Sequence, residues 1–252
     1  MISRQELIAD LAEMLAVDRF RDYGPNGLQV EGRASVRKMV SGVTASLALI
    51  EAAVANGADT VLVHHGLFWR GQSACVTGWM RKRLGLLLSN DINLLAYHLP
   101  LDAHAELGNN AQLGRMLGLQ ADARFGEQEL GWLGTGANGR VFSSAQALAD
   151  HAGQVLQRQV TLVSTSPREV RRVAWCSGGA QSYFEDAIAA GADAFITGEI
   201  SEPQAHIARE SGVAFLACGH HATERYGVQA LAEHLALRHG LVHLHIDIDN
   251  PA

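Results

Sequence analysis

An internal repeat constrains the fold of this 252-residue chain more than any other feature of its sequence. The segment from Val36 to Asp59 aligns without gaps on the segment from Val170 to Asp193, at an offset of 134 residues. Both copies contain Gly-Ala-Asp at the same place, and a short apolar run follows each Asp. The match indicates a duplicated helix–strand unit.

Polar side chains follow the apolar run in both copies. His64 and His65 stand after the first run, and Gly198 and Glu199 stand at the equivalent positions after the second. Open α/β sheets bind ligands beyond the carboxyl ends of their strands. Because neighbouring residues on a strand point to opposite faces, both imidazoles can serve one site only if the strand ends there. Gly66 favours such a break.

The next strand of each half also ends in potential ligands. Residues 92–97 lead to His98 and Asp102, and residues 213–218 lead to His220, His221 and Glu224. Two related halves are expected to bring these ends together across a pseudo-twofold axis. On a helix that starts after Gly219, Glu224 shares a face with the imidazoles four and three residues before it, so spacing leaves both pairings open.

Imidazole and carboxylate ligands together suit Zn, Fe, Mn, Ni or Co. The set of histidines and carboxylates exceeds what one tetrahedral ion needs. It is enough for two ions about 3.5–4 Å apart that share a bridging carboxylate. The sequence therefore predicts two divalent metal ions per chain, held between the two halves.

The whole chain fits an α/β fold. Its 48% hydrophobic content allows a large core. Strands that alternate with helices predict internally duplicated three-layer α/β units with a largely parallel or mixed sheet. We place the first repeat at 1–126 and the second at 127–252, with the glycine-rich stretch 122–139 at the boundary. Ser3 and Glu6 form a capping box that predicts the first helix, and Ser144 opens another in the second half.

Composition limits the location and the partners. No signal peptide and no apolar run near 18 residues occur, which predicts a soluble cytoplasmic protein. Cys75, Cys176 and Cys218 are widely spaced, suit a reducing compartment, and are left out of the site. A net charge of −6 argues against a ring that encircles DNA, although an ion can supply positive charge to a phosphate site. Nucleic acid is thus a weakly supported partner.

Five motifs carry a resemblance to a known family. They are PNGLQV at 25–30, VHHGL at 63–67, YHLPLD at 97–102, GEIS at 198–201 and GHHATE at 219–224. In this order they resemble the NGG-interacting-factor-three family, whose bacterial members are commonly labelled GTP cyclohydrolase type 2 homologs. The similarity covers nearly the whole chain and fits the short bacterial form. Family members often have an Asp-Asn pair where Pro25-Asn26 stands, so no role is predicted for that loop.

The resemblance implies a duplicated α/β fold, a dinuclear metal site and a toroidal homohexamer with the sites facing an internal cavity. By motif, the implied metal ligands are His64, His65, Asp102, His220 and Glu224. The resemblance thus selects His220 over its neighbour His221, a choice that helical spacing leaves open.

Two further residues are candidates for catalysis. His98, four residues before Asp102, is expected to orient a ligand or transfer protons, and the alternative is an imidazole that is only hydrogen-bonded near the strand end. Glu199, the repeat counterpart of His65, is expected to orient a ligand or act as a general base.

The predicted function is a metal-dependent hydrolase that acts on a nucleotide or a related phosphate-containing substrate. The family label implies opening of the purine ring of GTP with loss of formate, and a phosphoesterase or nuclease fits the same residues equally well. No GxxxxGK[ST] motif occurs, so arginines and metal would have to hold a triphosphate. The alternative is a non-catalytic, metal-binding hexameric scaffold or a regulatory interaction module.

Overall fold

The computed structural model describes all 252 residues and divides them into two compact units. The first unit comprises residues 1–108 and 227–249, and the second comprises residues 109–226 and 250–252. These units are defined by packing, whereas the repeats at 1–126 and 127–252 describe a duplication of sequence. The repeat boundary therefore stays a prediction.

The first unit contains a five-stranded sheet of order β13-β4-β5-β6-β2, in which only β2 is antiparallel to its neighbour. A separate antiparallel pair joins β1 and β3. The elements are β1 (Ile2–Ser3), α1 (Arg4–Leu15), β2 (Gly27–Val30), β3 (Ser35–Val36), β4 (Lys38–Thr44), α2 (Leu47–Ala55), β5 (Thr60–His65), α3 (Gly78–Ser89), β6 (Asn93–Ala96), α4 (Leu99–Ala103) and, after the second unit, β13 (Val242–His245).

Alternating side chains of this sheet pack into two separate cores. Val61 and Val63 of β5 contact a cluster that includes buried residues of α2 and α3. Leu62, which points to the opposite face, joins a cluster that includes Leu7 and Leu11 of α1. The first unit is therefore a three-layer α/β structure, and the predicted fold class is confirmed.

The second unit contains a six-stranded mixed sheet of order β7-β8-β10-β11-β12-β9. Its elements are α5 (Asn109–Leu117), β7 (Leu119–Phe125), β8 (Gly131–Gly136), α6 (Ala145–Leu156), β9 (Thr161–Val163), β10 (Arg172–Trp175), α7 (Phe184–Ala189), β11 (Ala194–Thr197), α8 (Glu202–Ser211), β12 (Ala214–Ala217) and the start of α9 (His220–His239). The residues of α9 from Gly227 onward belong to the first unit. The strands β10, β11 and β12 are parallel, and antiparallel strands flank them on both sides. The stretch 122–139 supplies the end of β7 and the whole of β8.

Both faces of the second sheet are covered by apolar side chains. Ile196 and Leu216 belong to a core with buried residues of α5 and α6. At the alternate positions of the strands, Phe195 stacks on Phe184 of α7 with ring centroids 6.0 Å apart, and Phe215 contacts Phe184 edge-to-face at 4.9 Å. This unit is also a three-layer α/β structure.

The internal repeat is visible in the hydrogen bonds. Asp59 Oδ2 accepts the main-chain N–H groups of residues 37 and 38, at 2.8 and 3.0 Å. Asp193 Oδ2 accepts those of residues 171 and 172, at 2.9 and 2.8 Å. Met39 pairs with Thr60 as Val173 pairs with Ala194, again at an offset of 134. The ungapped alignment is therefore also an alignment of structure.

The predicted helix starts are confirmed. Ser3 caps α1, and its side chain and that of Glu6 form both bonds of the capping box. Ser144 caps α6 by accepting the N–H of Ala147. None of the helices has the length and apolar character that crossing a bilayer requires.

Candidate metal centre

The histidine pair lies within strand β5 and not after it. β5 runs to His65 and ends directly before Gly66, the residue at which the sequence favours a break. β4 still pairs with β5 at His65, whereas pairing with β6 stops opposite Val63. The rings of His64 and His65 nevertheless approach to 4.4 Å between centroids. His64 is fully buried and His65 is half-buried.

The strand β6 and the helix α4 bring two more predicted residues to this pair. The His98 ring lies 5.0 Å from that of His64 and 5.6 Å from that of His65, between centroids. One ring nitrogen from each of the three histidines lies within 4.8 Å of the others. Asp102, in the first turn of α4, places Oδ1 3.6 Å from His64 Nε2. The first unit thus groups four of the predicted residues.

The three imidazoles share one pattern of hydrogen bonding through Nδ1. His64 Nδ1 contacts the Tyr97 carbonyl at 3.0 Å, and His65 Nδ1 contacts the Thr44 hydroxyl at 3.2 Å. His98 Nδ1 contacts an Asp22 carboxylate oxygen at 2.7 Å. Histidines that bind metals usually engage the second ring nitrogen in this way, which fixes the ring for coordination through the other. The arrangement fits metal binding through Nε2.

The loop for which no role was predicted supports His98. Asp22 contacts the ring, and Asn26 Oδ1 accepts the His98 main-chain N–H at 2.7 Å. The sequence suggested no role for the loop at Pro25-Asn26, and the hydrogen bond from His98 to Asn26 gives it one. Asp22 is 76 residues before His98, and no local spacing could have connected them. The Trp69 ring, 5.1 Å from that of His98 and 5.9 Å from that of His65, was also missed.

The second unit groups the other three predicted residues at the start of α9. His220 Nε2 lies 3.2 Å from Glu224 Oε2, and His220 Nδ1 lies 2.6 Å from Glu199 Oε1. Burial by itself lowers the pKa of His220, but the hydrogen bonds and charges of Glu224 and Glu199 raise that pKa to about 9. A positive charge is therefore stabilised between two carboxylates, which is what a cation site requires.

A glycine keeps space beside these groups. Gly178 has φ +68°, and a Cβ at this position would collide with Glu224 Oε1 and lie 3.1 Å from His220 Nε2. Its main-chain N–H is bonded to the hydroxyl of Thr223, at 2.9 Å. Only glycine combines this left-handed conformation with the lack of a side chain. A side chain at residue 178 would therefore displace the Glu224 carboxylate from its place beside His220.

These observations test whether the residues present fit divalent metal ions. Imidazole nitrogens and carboxylate oxygens are suitable donors, and the Nδ1 partners and the negative surroundings of His220 agree with metal binding. The thiols do not contribute: no cysteine forms a disulfide, and burial raises the pKa of Cys218 to about 12. The residues in both units therefore fit the divalent metal ions that the family resemblance implies.

Comparison with known proteins identifies the family. The family described as Duf34/NIF3 (NGG1p interacting factor 3) matches residues 2–251. The chain belongs to the Duf34/NIF3 family. Among Duf34/NIF3 relatives, the GTP cyclohydrolase 1 type 2 homolog of Neisseria meningitidis serogroup A is 52% identical over 252 residues, with 100% of each chain covered. That of Pseudomonas aeruginosa is 51% identical over 260 residues, covering 100% of this chain and 99% of the relative.

Solved structures agree with this assignment. Protein ybgI, described as of unknown function, superposes with a TM-score of 0.95 at 48% identity, with 100% of both chains covered. TTHA1606 from Thermus thermophilus gives a TM-score of 0.89 at 35% identity, again over 100% of both chains. The fold that the sequence motifs implied is therefore that of the Duf34/NIF3 family.

Proposed function

We propose that this protein is a dinuclear metal-dependent hydrolase that acts on a nucleotide or a related phosphate-containing substrate. Its ligands to two divalent ions, of Zn, Fe, Mn, Ni or Co, are His64, His65, Asp102, His220 and Glu224. The observation that carries the proposal is the convergence of three imidazoles, each held by an Nδ1 partner, beside a carboxylate.

When bound, a pair of ions supplies Lewis-acid activation of the substrate and lowers the pKa of water to near neutral. The protein's own part is to move protons. For opening of a purine ring, water adds at the carbon between two nitrogens, and a proton must reach a nitrogen. His98, whose side chain is 19% exposed, and Glu199, which is 44% exposed, are the proposed groups for this transfer.

A cavity beside His98 supports a substrate that has a planar ring and a phosphate. It measures about 350 Å³, at the lower end of the usual range for ligand pockets. Tyr23, Phe68 and Trp69 line it with aromatic rings, and Arg70 adds a guanidinium group. Aromatic faces favour stacking on a base, and arginine is well suited to phosphate oxygens.

We also propose the homohexamer and the cytoplasmic location that the family resemblance implies. Apolar side chains at the end of α9 and on the edge strand β13 support self-association. Leu237 is 87% exposed, Val242 61% and Leu244 38%. Light scattering of the purified protein tests the assembly, with a mass of six chains as the expected result.

The experiment is a turnover assay with GTP, read by formate release, and with simple phosphoesters, after loading with each of the five metals in turn. We expect turnover of one substrate class, with losses on the order of 100-fold or more in His64→Ala and Glu224→Ala. His206→Ala is the matched control, because His206 is 61% exposed and contacts Glu202 on the surface. Metal-loaded wild type without turnover of any substrate would contradict the hydrolase and favour the metal-binding scaffold.

A further inference from the structure

The three imidazoles of the first unit differ in the chemistry of their Nδ1 partners. The partner of His64 is a carbonyl, that of His65 is a hydroxyl, and that of His98 is a carboxylate. Charge-assisted hydrogen bonds are about twice as strong as neutral ones. The Asp22 carboxylate lies 2.7 Å from Nδ1 of His98. It therefore holds the His98 ring more firmly than the neutral partners hold the rings of His64 and His65.

We propose that Asp22 is the positioning residue of His98: it keeps the ring proton on Nδ1 and turns Nε2 toward His64 and His65. The inference rests on the proposed function, in which His98 moves protons at the metal centre. A bare Nε2 is the atom that can accept a proton from water or substrate, and the opposite tautomer cannot do so.

The surroundings of Asp22 are built for a carboxylate. Oδ1 accepts from His98 Nδ1 and from the Tyr23 main-chain N–H at 2.6 Å. Oδ2 accepts from Asn26 Nδ2 at 2.8 Å and from the Leu99 main-chain N–H at 2.9 Å. The side chain is only 3% exposed, and both of its oxygens face donors. An ionised carboxylate, which is purely an acceptor, satisfies this environment.

The charge state of Asp22 agrees with this geometry. Burial by itself raises its pKa, but the hydrogen bond and charge of His98, together with bonds from Asn26 and Tyr23, lower the pKa to about 2. Asn26 adds a second restraint, because its Oδ1 accepts the His98 main-chain N–H. The loop 22–26 thus fixes both the ring and the backbone of His98.

The substitution Asp22→Asn is expected to reverse the tautomer. The new amide can place its NH₂ group at the position of either carboxylate oxygen, and an NH₂ group cannot accept a hydrogen bond. At the Oδ2 position it would oppose two donors, from Asn26 and Leu99, whereas at the Oδ1 position it would oppose only the Tyr23 N–H. The NH₂ group is therefore driven toward His98 Nδ1, which must then accept. The proton moves to Nε2, as happens when an amide replaces the orienting carboxylate of a catalytic imidazole.

The chain offers a matched control. Asp10 is 12% exposed and contacts His239 Nε2 at 2.6 Å, so it forms a second carboxylate–imidazole pair in the same unit. It also contacts Arg238, and neither partner belongs to the proposed centre. Asp10→Asn therefore removes a comparable ion pair without changing the orientation of His98.

The test is long-range ¹H–¹⁵N NMR of zinc-loaded full-length protein labelled at histidine, with His98→Gln to assign the signal. We expect the Nδ1–H tautomer of His98 in wild type and in Asp10→Asn, and the Nε2–H tautomer in Asp22→Asn at unchanged metal content. An Nε2–H tautomer already present in wild type overturns the proposal without any variant. An unchanged Nδ1–H tautomer in Asp22→Asn overturns it as well.

Turnover separates this inference from the proposed function. Where wild type turns over a substrate, we expect a loss on the order of 100-fold or more in Asp22→Asn and no loss in Asp10→Asn. Equal turnover in Asp22→Asn and wild type contradicts the positioning role. A wild type without turnover contradicts the hydrolase alone, because the tautomer of His98 is measured independently.

Discussion

Replacement of Gly178 by alanine tests whether the space beside His220 and Glu224 is needed for metal. The new Cβ would collide with Glu224 Oε1 and would lie 3.1 Å from His220 Nε2. Glu224 is 3% exposed and cannot swing out to solvent. The positive φ of +68° adds a strain of about 1 kcal/mol for any residue with a Cβ.

Gly191→Ala is the control that separates strain from collision. Gly191 lies in the same unit with φ +83°, and a Cβ there meets nothing within 4 Å. We expect Gly191→Ala to lose about 1 kcal/mol of unfolding free energy, which lowers Tm by about 2–4 °C at this chain length. Gly178→Ala is expected to lose at least as much.

The assay is titration of each apo protein with zinc against a competing chromophoric chelator. We expect Gly191→Ala to bind like wild type and Gly178→Ala to bind more weakly by at least about 10–100-fold, the usual loss when even a supporting contact of a ligand is removed. If Gly178→Ala binds zinc as Gly191→Ala does, then Glu224 and His220 do not depend on this space, and the assignment of both as ligands is refuted.

Three other variants test separate parts of the structure. In Glu199→Gln, the 2.6 Å contact to His220 Nδ1 loses its charge, and we expect zinc affinity to fall by about 10–100-fold in the same titration, whereas unchanged affinity would contradict the role. The hydroxyl of Tyr97 is buried without a hydrogen-bond partner. Tyr97→Phe removes this hydroxyl and is therefore expected to raise the unfolding free energy in urea by about 1 kcal/mol. A decrease of that size would refute the prediction. Because the pKa of Asp22 falls from 3.8 to about 2 on folding, its carboxylate stabilises the protein above pH 3.8 and this contribution is lost as the pH falls toward 2. The difference in unfolding free energy between wild type and Asp22→Asn, about 1–2 kcal/mol after solvent screening, should have its full value near pH 6 and be smaller at about pH 3. A difference that does not change with pH would contradict the lowered pKa of Asp22.

The repeat and the strand–helix alternation were enough to predict the fold class. The aligned copies share their strand register and the hydrogen bonds of Asp59 and Asp193. The glycine-rich stretch 122–139 shows where local patterns fail, since β7 and β8 are held by pairing with each other and with β10. The edge position of β13 beside β4 is likewise set by tertiary packing, about 200 residues away along the chain.

Residues of the candidate site could be named from the sequence where they follow recognisable motifs, and not where their supporting contacts come from distant loops. His64, His65 and Asp102 stand at or beside the ends of apolar strands, and the sequence pattern marks such ends. Asp22 and Trp69 carry no such mark. Their contacts with His98 arise only when separate loops meet, so no spacing rule could have found them.

The measurement that tests the central claim most directly is the metal content of untagged wild-type protein, prepared without chelators and determined by elemental analysis. The proposal predicts about two divalent ions per chain, and fewer in both His64→Ala and Glu224→Ala than in His206→Ala. Wild-type protein that contains no metal and binds none on addition of zinc, manganese, iron, nickel or cobalt would contradict the centre itself.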